Sequence, residues 1–408
     1  MAAAALISLG FLYTLFTVST VVREVSHPLP PDLAPEARPA ARQPGERTNI
    51  LVMGLDDDHR HADLVLLLSI DEGSRKVALL QIPRETRALI AGADAFAQLA
   101  GAHDAGVVDQ RFPGSLRVLK TVESLLDVPV HDTITVEPEG FRKLVDDVGG
   151  MQVNVPFAMD YDDPVQQLHI HLAAGPQKLH GEQVLEFVRW RHNNDGGGHP
   201  EGEAGRLRMQ QELLQALLDQ LVSPRNLPRL PSLVMAVAAH VHATMAPARL
   251  ISLVLAVASR ADLTVATLPG IDASLPQPDQ QGRRSYYLPD PDGTARLVDR
   301  LIRGIDPGAA ASIRVEVAVP DDHDKAARIT ARLAAQGFAV STIAPPAAMP
   351  AATQVIDLRG DAARAQLVAG SLVSQGLAVE LLSQPDSKAT ADVRVIFGSD
   401  VRSTFNGS

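Results

Sequence analysis

The sequence predicts an α/β (α+β) domain, in which helices cover both faces of a mixed sheet, followed by a smaller α/β domain. Three observations predict this fold class. Three apolar runs of strand length lie between residues 49 and 82, helical and strand patterns alternate over residues 115–305, and residues 311–398 repeat a strand–helix–strand pattern. Strands that alternate with helices are typical of a sheet packed against helices.

The chain begins with an apolar stretch. Residues 1–22 are almost uninterrupted in their hydrophobicity, and about 20 such residues are enough to cross a bilayer. We therefore predict a transmembrane anchor over residues 1–23. A cleaved signal peptide is the alternative; it is disfavoured because the stretch is long and lacks both a basic segment before it and an Ala-x-Ala-like site after it. Residues 24–48 are rich in proline and alanine, which predicts an extended tether.

Regular structure is predicted to begin at residue 49. The apolar run at 49–55 is a strand, and the runs at 64–70 and 77–82 form a hairpin, because residues 71–76 between them have the composition of a turn. The near-continuous hydrophobicity of these strands indicates a sheet that is covered on both faces.

Further helices and strands complete the first domain, which we place at residues 49–305. Helices are predicted at 115–126, 139–147, 181–188, 206–222, 250–258 and 294–303, and strands at 133–136, 152–155, 263–268 and 286–288.

The second domain is predicted at residues 311–398, and residues 399–408 are expected to be a disordered tail. Its strands are predicted at 313–319, 338–343, 354–358, 378–382 and 393–397, and its helices at 324–336 and 362–375.

The charge of the chain bears on its ligand. The formal net charge is −11, while arginines gather at a few strand ends and loops. Nucleic-acid binders are basic overall or along one face, so nucleic acid is disfavoured and a small, highly anionic ligand is favoured. The chain has no cysteine, which excludes disulfides and thiolate metal sites.

Four arginines stand where predicted strands or helices end. Arg84 and Arg87 follow the third strand, and Arg189 and Arg191 follow the helix at 181–188. Guanidinium groups bind phosphate in a bidentate manner and stay charged, so these residues predict a phosphate or pyrophosphate site. Arg189 and Arg191 can face one ligand only if the chain is not helical between them; a solvated helix terminus is the alternative.

A fifth arginine lies near the start of the next predicted helix. Arg206 and Gln210 are four residues apart, and therefore lie on one face. Free backbone N–H groups and the helix dipole favour an anion at this end. Glu203 precedes them and is a candidate for a helix cap or a general base.

Two aspartates flank the turn between the first two strands. Asp56 ends one strand and Asp63 opens the next, and such carboxylates suit Mg²⁺, which often shares its oxygen ligands with substrate phosphates. A solvated turn is the alternative. His169 and His171 on one strand face are a weaker candidate for a transition-metal site, because no His-x3-His helical spacing accompanies them.

The chain resembles the LytR–CpsA–Psr family of bacterial cell-wall proteins over about residues 49–305. Residues 311–398 look like the C-terminal LytR-type domain that often accompanies it. The matching segments, in order, are residues 49–54, 67–71, 82–87, 139–141, 148–156, 159–164, 179–183, 188–192 and 205–211.

The resemblance implies a single-pass membrane protein with its domains on the extracytoplasmic side. Members of the family are described as transferases that move a glycopolymer from a polyprenyl-pyrophosphate carrier to a hydroxyl of peptidoglycan or a related wall glycan. The product is a phosphodiester and Mg²⁺ assists, which makes the enzyme a phosphotransferase. The polyprenyl tail is expected in an apolar tunnel between sheet and helices.

The resemblance also assigns roles to residues. Asp56 and Asp63 are expected to hold the metal. The residues expected at the pyrophosphate are Arg84, Arg87, Arg189, Arg191, Arg206 and Gln210. The residues expected to take part in catalysis are Asp63, Arg84, Arg189, Arg191 and Glu203, with Glu203 or a free aspartate as the proton acceptor.

Several positions depart from the family pattern. The usual Arg-Ser/Thr-Asp-Thr is replaced by residues 61–64, which keep only Asp63; the aspartate of Pro-Arg-Asp-Thr is Glu85; and a Lys-x-Asn element aligns with residues 98–100, without its lysine. Glu203 stands where an aspartate is usual and Met209 replaces an arginine. Two alternatives follow: a non-catalytic binder or scaffold for polyprenyl-linked intermediates, and a polyprenyl-pyrophosphate hydrolase.

Overall fold

A computed structural model gives the conformation of most of the chain. It describes residues 29, 33–42, 46–93, 95–104, 114–164, 168–221, 223–226, 229–245, 249, 253, 256–257, 262–276, 282–305, 307–319, 324–373, 375, 377–386 and 388–398. The predicted anchor at 1–23, part of the tether, most of the helix at 250–258 and the tail at 399–408 lie outside these residues.

The chain divides into two compact units. One contains residues 49–121 and 132–289, with the segment before residue 40; the other contains residues 40–48, 122–131 and 290–408. The division falls near residue 290, whereas the sequence predicts a domain boundary between residues 305 and 311.

A six-stranded mixed sheet is the centre of the first unit, with the strand order β11-β6-β1-β2-β3-β12. Its strands are β1 (Thr48–Leu55), β2 (Ala62–Asp71), β3 (Lys76–Ile82), β6 (Asp132–Val136), β11 (Val241–Ala243) and β12 (Asp262–Thr267). The predicted hairpin is confirmed, because β2 and β3 pair antiparallel. β6 runs parallel to β1 and β12 runs parallel to β3.

Helices and two-stranded sheets surround this sheet. The helices are α1 (Gly114–Leu126), α2 (Pro138–Asp147), α3 (Gly181–Arg189), α4 (Gly202–Leu221) and α5 (Leu230–Val237). The two-stranded sheets pair β4 (Arg87–Leu89) with β5 (Phe96–Gln98), β7 (Met151–Val155) with β10 (Gly175–Leu179), β8 (Met159–Asp163) with β9 (Leu168–Leu172), and β13 (Gly270–Pro276) with β14 (Arg283–Pro289).

Burial explains why the sequences of β1, β2 and β3 are apolar runs. Every residue of β3 after Lys76 is buried, and successive residues of a strand point to opposite faces, so both faces of the sheet are covered. One hydrophobic cluster packs α2, α3 and α4 against the small strands around Phe187 and Trp190, both 1% exposed. A second cluster covers one sheet face around Ile50 and Ile70.

The second unit contains a five-stranded sheet in the order β16-β15-β19-β17-β18. Its elements are α6 (Pro291–Leu301), α7 (Pro307–Ala311), β15 (Arg314–Ala318), α8 (Asp324–Ala335), β16 (Ala339–Ile343), β17 (Thr353–Asp357), α9 (Ala362–Val373), β18 (Val379–Ser383) and β19 (Val393–Ile396). Only β17 and β19 pair antiparallel, so the sheet is mixed. The helices and strands predicted over residues 313–397 all form, within two residues of their predicted ends.

Two results on helices bear on the expectations from sequence. Within the described part of the chain, no helix is both long and apolar enough to span a membrane. Helix α4 begins at Gly202 rather than at residue 206; Gly202 has a φ of 61°, and its N–H donates to the carbonyl of His199. Arg206 is therefore the fifth residue of the helix, beyond the four N–H groups that a helix leaves free.

Candidate functional site

The candidate site lies along one edge of the six-stranded sheet. β1 and β6 are parallel, so Leu55 and Val136 end at the same edge. β3 is antiparallel to β2 with Ile82 opposite Val65, so β3 ends where β2 begins. The loops that carry the sequence-predicted aspartates and the first arginine therefore meet at this edge.

Asp56 organises the loop between β1 and β2. Its Oδ1 accepts hydrogen bonds from the backbone N–H groups of Arg60 and His61, at 2.8 and 3.0 Å, and its Oδ2 lies 2.8 Å from Nδ1 of His61. Burial would raise the pKa of Asp56, but the hydrogen bonds from His61 and Arg60 lower it overall. The carboxylate is ionised and held in one orientation.

Asp63, Glu85 and two arginines form a chain of ion pairs. Arg84 pairs with Asp63 through Nη1 and with Glu85 through Nε, the latter at 3.1 Å. Arg191 also pairs with Glu85. The pKa of Glu85 is lowered although burial opposes the shift, because Arg191, Arg84 and Arg206 act on the carboxylate.

Arg206 belongs to the same group of charges. It is buried, with 8% of its surface exposed, and its charge acts on Glu85 and on Arg191. Burial, and after it the charges of Arg84 and Arg206, lower the pKa of Arg191. Two guanidinium groups thus pair with Glu85, and the charge of a third, Arg206, acts on it.

Arg189 binds a carboxylate that sequence reasoning missed. Its Nη1 donates to Oδ2 of Asp57 at 2.7 Å, and Arg142 of α2 donates to Oδ1 of the same residue at 3.2 Å. Burial opposes the shift, but Arg189 and Arg142 lower the pKa of Asp57. The sequence shows the acidic turn after β1. It does not show that Asp57 pairs with Arg142, because these two residues are 85 positions apart in the chain.

The chain leaves the helical conformation between Arg189 and Arg191. Helix α3 ends at Arg189, and Trp190 has a φ of −58° and a ψ of 135°. The indole N–H of Trp190 donates to Oδ1 of Asn193 at 2.9 Å. The condition for both arginines to reach one ligand is thus met, and their carboxylate partners, Asp57 and Glu85, both follow strands that end at the site edge.

Gln210 contacts protein groups with both ends of its amide. Its Nε2 donates to the carbonyl of Val188 at 2.9 Å, and its Oε1 accepts from Gln81 at 3.0 Å. Gln211 donates to Oγ1 of Thr267 at the end of β12. The two glutamines attach α4 to the end of α3 and to the sheet, so Gln210 positions the segment that carries Arg189.

Arg87 is a predicted site residue that the structure does not bring into this network. The guanidinium of Arg87 lies over the ring of Phe96, with 4.2 Å to the centroid. Glu203 is in the first turn of α4, and its side chain lies outside the described part of the structure. Gln98, which stands where the family has a lysine, donates to the carbonyl of Ser285 at 2.8 Å.

Asp56 and Asp63 are the metal ligands expected from sequence. Among the described residues, no group of three or more histidine, aspartate or glutamate side chains is arranged to hold a metal ion. His169 and His171 instead pair with Asp162 and Asp160 across the β8–β9 hairpin. Asp56 and Asp63 supply two carboxylates, and Mg²⁺ is commonly bound by one or two carboxylates completed by water and substrate phosphates. The chemistry of this donor pair therefore fits Mg²⁺.

Comparisons with known proteins agree on one family. The model of the LytR_cpsA_psr family matches residues 22–300. Two similar curated proteins are named polyisoprenyl-teichoic acid–peptidoglycan teichoic acid transferases. TagV of Bacillus subtilis is 27% identical over 205 residues, which are 48% of this chain and 49% of TagV. TagU of Oceanobacillus iheyensis is 31% identical over 224 residues, 53% of this chain and 66% of TagU. The match thus spans only about half of TagV and two thirds of TagU.

Solved structures show the same fold. The crystal structure of B. subtilis TagV has a TM-score of 0.51 and 24% identity, and the match covers 64% of this chain and 97% of that one. A protein from Streptococcus agalactiae has a TM-score of 0.53 and 23% identity, with coverage of 63% and 88%. The central mixed sheet with its helices is the fold that these proteins share.

Proposed function

Because the chain belongs to the LytR_cpsA_psr family, we propose that it transfers a wall glycopolymer from a polyprenyl-pyrophosphate carrier to peptidoglycan or a related wall glycan. One observation carries the proposal: Arg84 and Arg191 pair with Glu85, and the charge of Arg206 acts on it, at the sheet edge where Asp56 and Asp63 also lie. The names of the related TagV and TagU proteins support the choice of donor and acceptor. We further propose that the chain works at the outer side of the cell membrane, attached through its apolar N-terminal residues.

The proposed reaction is a phosphoryl transfer. The acceptor hydroxyl attacks the phosphorus bonded to the glycopolymer, a new P–O bond forms, and the P–O bond to the polyprenyl phosphate breaks. The hydroxyl proton goes to a carboxylate, for which Glu203 and Asp57 are the candidates. Phosphoryl transfer depends on positioning and on neutralising charge more than on covalent catalysis.

The arginines supply that neutralisation. Glu85 is the counter-ion of Arg84 and Arg191, and Asp57 is the counter-ion of Arg189. A pyrophosphate that enters the site offers these guanidinium groups stronger and bidentate partners. Arg84, Arg189, Arg191 and Arg206 then stabilise the charge that develops on the leaving phosphate.

Mg²⁺ is the proposed cofactor, with Asp56 and Asp63 as its protein ligands. Two backbone N–H groups on Oδ1 and the His61 ring on Oδ2 hold Asp56 in place and leave Oδ2 with one further lone pair. When bound, the ion would neutralise phosphate charge.

A reconstituted reaction tests the proposal. The full-length protein in detergent is incubated with a polyprenyl-pyrophosphate glycan, Mg²⁺ and a peptidoglycan fragment, and the phosphodiester product is measured by mass spectrometry. We expect product with the wild-type chain and a loss of about a hundredfold or more in Arg189→Ala, because one charged donor to a phosphoryl group is removed. Arg284→Gln, a change of the same charge on the exposed β14, is the control and should leave the rate unchanged.

A second candidate function is non-catalytic binding of the polyprenyl-linked intermediate. The observation that favours it is Gln98, an uncharged side chain bound to Ser285 where the family has a lysine. Tight binding without product in the same assay would support this candidate and contradict transfer. Release of polyprenyl phosphate without a phosphodiester would instead show hydrolysis.

A further inference from the structure

A cavity lies in the first unit, at the end of helix α4 away from Gln210. Its volume is about 390 Å³, and it is bounded by the turn after α2, the start of β7, strand β10, the last turns of α4 and the turn that follows. Small-ligand pockets are commonly about 300–1,000 Å³, so this cavity has room for a small molecule. Gln220 at the cavity is ten residues beyond Gln210, a distance of about 15 Å along a helix.

The backbone that forms part of the wall is already hydrogen-bonded. The N–H groups of Gly149 and Gly150 donate to the carbonyls of Asp146 and Val145. The amide of Gln220 donates to the carbonyls of Val148 and Gly150, at 3.1 and 2.9 Å. These bonds occupy carbonyl oxygens that would otherwise repel an anion.

The charge of the lining is unlike that of the whole chain. Lys178 and Arg225 line the cavity, and none of its lining residues is acidic, although the net charge of the chain is −11. Both residues are exposed, and within the described part of the chain neither side chain forms an ion pair or hydrogen bond. Each of the site arginines 84, 189 and 191, by contrast, has a carboxylate partner.

The two carboxylates that precede the lining turn in sequence have other partners. Asp146 accepts hydrogen bonds from the backbone of Gly181 at 2.9 Å and from His180, and Asp147 pairs with Lys143. The carbonyl of Gln220 near the end of α4 is capped by the side-chain amide of Asn226 at 3.0 Å. Arg225 is therefore not needed to satisfy the helix end.

We propose that this cavity binds the phosphate or carboxylate group of a small anionic ligand between Lys178 and Arg225. The planar guanidinium of Arg225 suits a bidentate contact with either group, and Gln152, directly opposite Lys178 on the paired strand, offers an uncharged amide beside it. In the setting of the proposed function, the ligand is an anionic sugar unit of the wall polymer or of its acceptor. The proposal that the ligand is a sugar rests on that function, whereas the proposal of an anion site does not.

Binding measurements on the full-length protein test the proposal. Glucose 6-phosphate and N-acetylmuramic acid represent the phosphate and carboxylate sources, and glucose is the uncharged control; titration calorimetry gives each affinity. We expect at least one acid to bind and glucose not to bind. Lys178→Gln and Arg225→Gln should each weaken binding about tenfold or more, since each removes a charged hydrogen-bond donor, whereas Arg284→Gln should have no effect.

A second variant tests the charge without removing either cation. Gln152→Glu places a carboxylate opposite Lys178, and this internal counter-ion should abolish binding of the acid while the circular dichroism spectrum is unchanged. The proposal is overturned if neither acid binds, if glucose binds equally well, or if the three cavity variants retain wild-type affinity. Arg189→Ala should bind the acid as the wild type does, even if it shows no activity in the transfer assay. Failure of the anion-site proposal is therefore distinguishable from failure of the transfer proposal.

Discussion

At the scale of single residues, the site is a balance between arginines and the carboxylates that hold them. Glu85 is central to this balance, because it pairs with two arginines and the charge of a third acts on it. Only 14% of its side chain is exposed, so water screens these charges poorly. The glutamate both keeps the arginines together and competes with any anionic ligand for them.

Replacement of this carboxylate separates the two roles. In Glu85→Gln the guanidinium groups lose their shared counter-ion, so we expect the free energy of unfolding of the free protein to fall by about 1–3 kcal/mol. The affinity for inorganic pyrophosphate should rise by about tenfold, because the ligand no longer displaces an internal anion. Trp190, the single tryptophan of the chain, lies between Arg189 and Arg191 and provides a fluorescence signal for the titration.

The matched control is Glu72→Gln. Glu72 also pairs with an arginine, Arg249 at 2.9 Å, but it follows β2 at the opposite edge of the sheet. The Glu72→Gln variant should therefore bind pyrophosphate with the affinity of the wild type. A weaker affinity in Glu85→Gln would show that the glutamate acts by positioning the arginines and would contradict the competition described above.

At the scale of elements, the position of α4 decides where the arginines stand. Gln210 connects this helix to β3 through Gln81 and to the end of α3 through the carbonyl of Val188. Gln81 is buried, with 4% of its surface exposed. A buried amide that loses its partner carries the full cost of its desolvation, so the Gln81–Gln210 pair should hold helix and sheet in one register.

A double-mutant cycle measures this connection. Gln210→Leu and Gln81→Leu should each lower the free energy of unfolding by about 1–3 kcal/mol, and the double variant should lose about 1 kcal/mol less than the sum. Urea denaturation gives the three values. Additive losses would contradict the direct coupling. In the transfer assay Gln210→Leu should lose more activity than Gln81→Leu, because only Gln210 holds the carbonyl next to Arg189.

At the scale of the whole molecule, each compact unit has its own core and its own buried charges. In the second unit, Asp392 is 3% exposed and precedes the central strand β19. Its Oδ2 accepts from the backbone N–H of Arg314 at 2.9 Å and its Oδ1 from Nη2 of Arg314 at 3.1 Å. Burial opposes the shift, but these bonds with Arg314 lower the pKa of Asp392 below its ordinary value of 3.8.

This carboxylate predicts a pH dependence of the second unit's stability. The pKa of Asp392 is lower in the folded than in the unfolded chain. Its contribution to the free energy of unfolding is therefore present above pH 3.8 and is lost as the pH falls through the folded-state pKa. Asp392→Asn should therefore be less stable than the wild type at pH 7, by about 1–3 kcal/mol. The difference should shrink below pH 3.8. Thermal unfolding of the wild type and of Asp392→Asn between pH 7 and pH 2.5 checks this prediction. A difference in stability that stays the same over this range would contradict it.

Much of the fold followed from local patterns. The apolar runs predicted β1, β2 and β3 because burial on both faces leaves a continuous signal, and the turn composition at 71–76 predicted their hairpin. Strands β4, β8 and β13 were not predicted. They carry polar residues and pair only within two-stranded sheets, so their strand conformation depends on a partner strand more than on their own composition.

The sequence by itself determined which residue types the site contains: arginines beside strand and helix ends, and aspartates around one turn. The structure showed that the chain leaves the helical conformation at Trp190, the condition that the sequence had left open. Only the tertiary structure decided their partners. Arg189 meets Asp57 across 132 residues and Arg191 meets Glu85 across 106, and Gln210 is committed to Gln81 and Val188 rather than left free. The physical reason is that a residue's type and its local conformation depend on its neighbours in the chain, whereas the partner of a charge depends on which loops the order and direction of the strands bring to the same edge of a sheet.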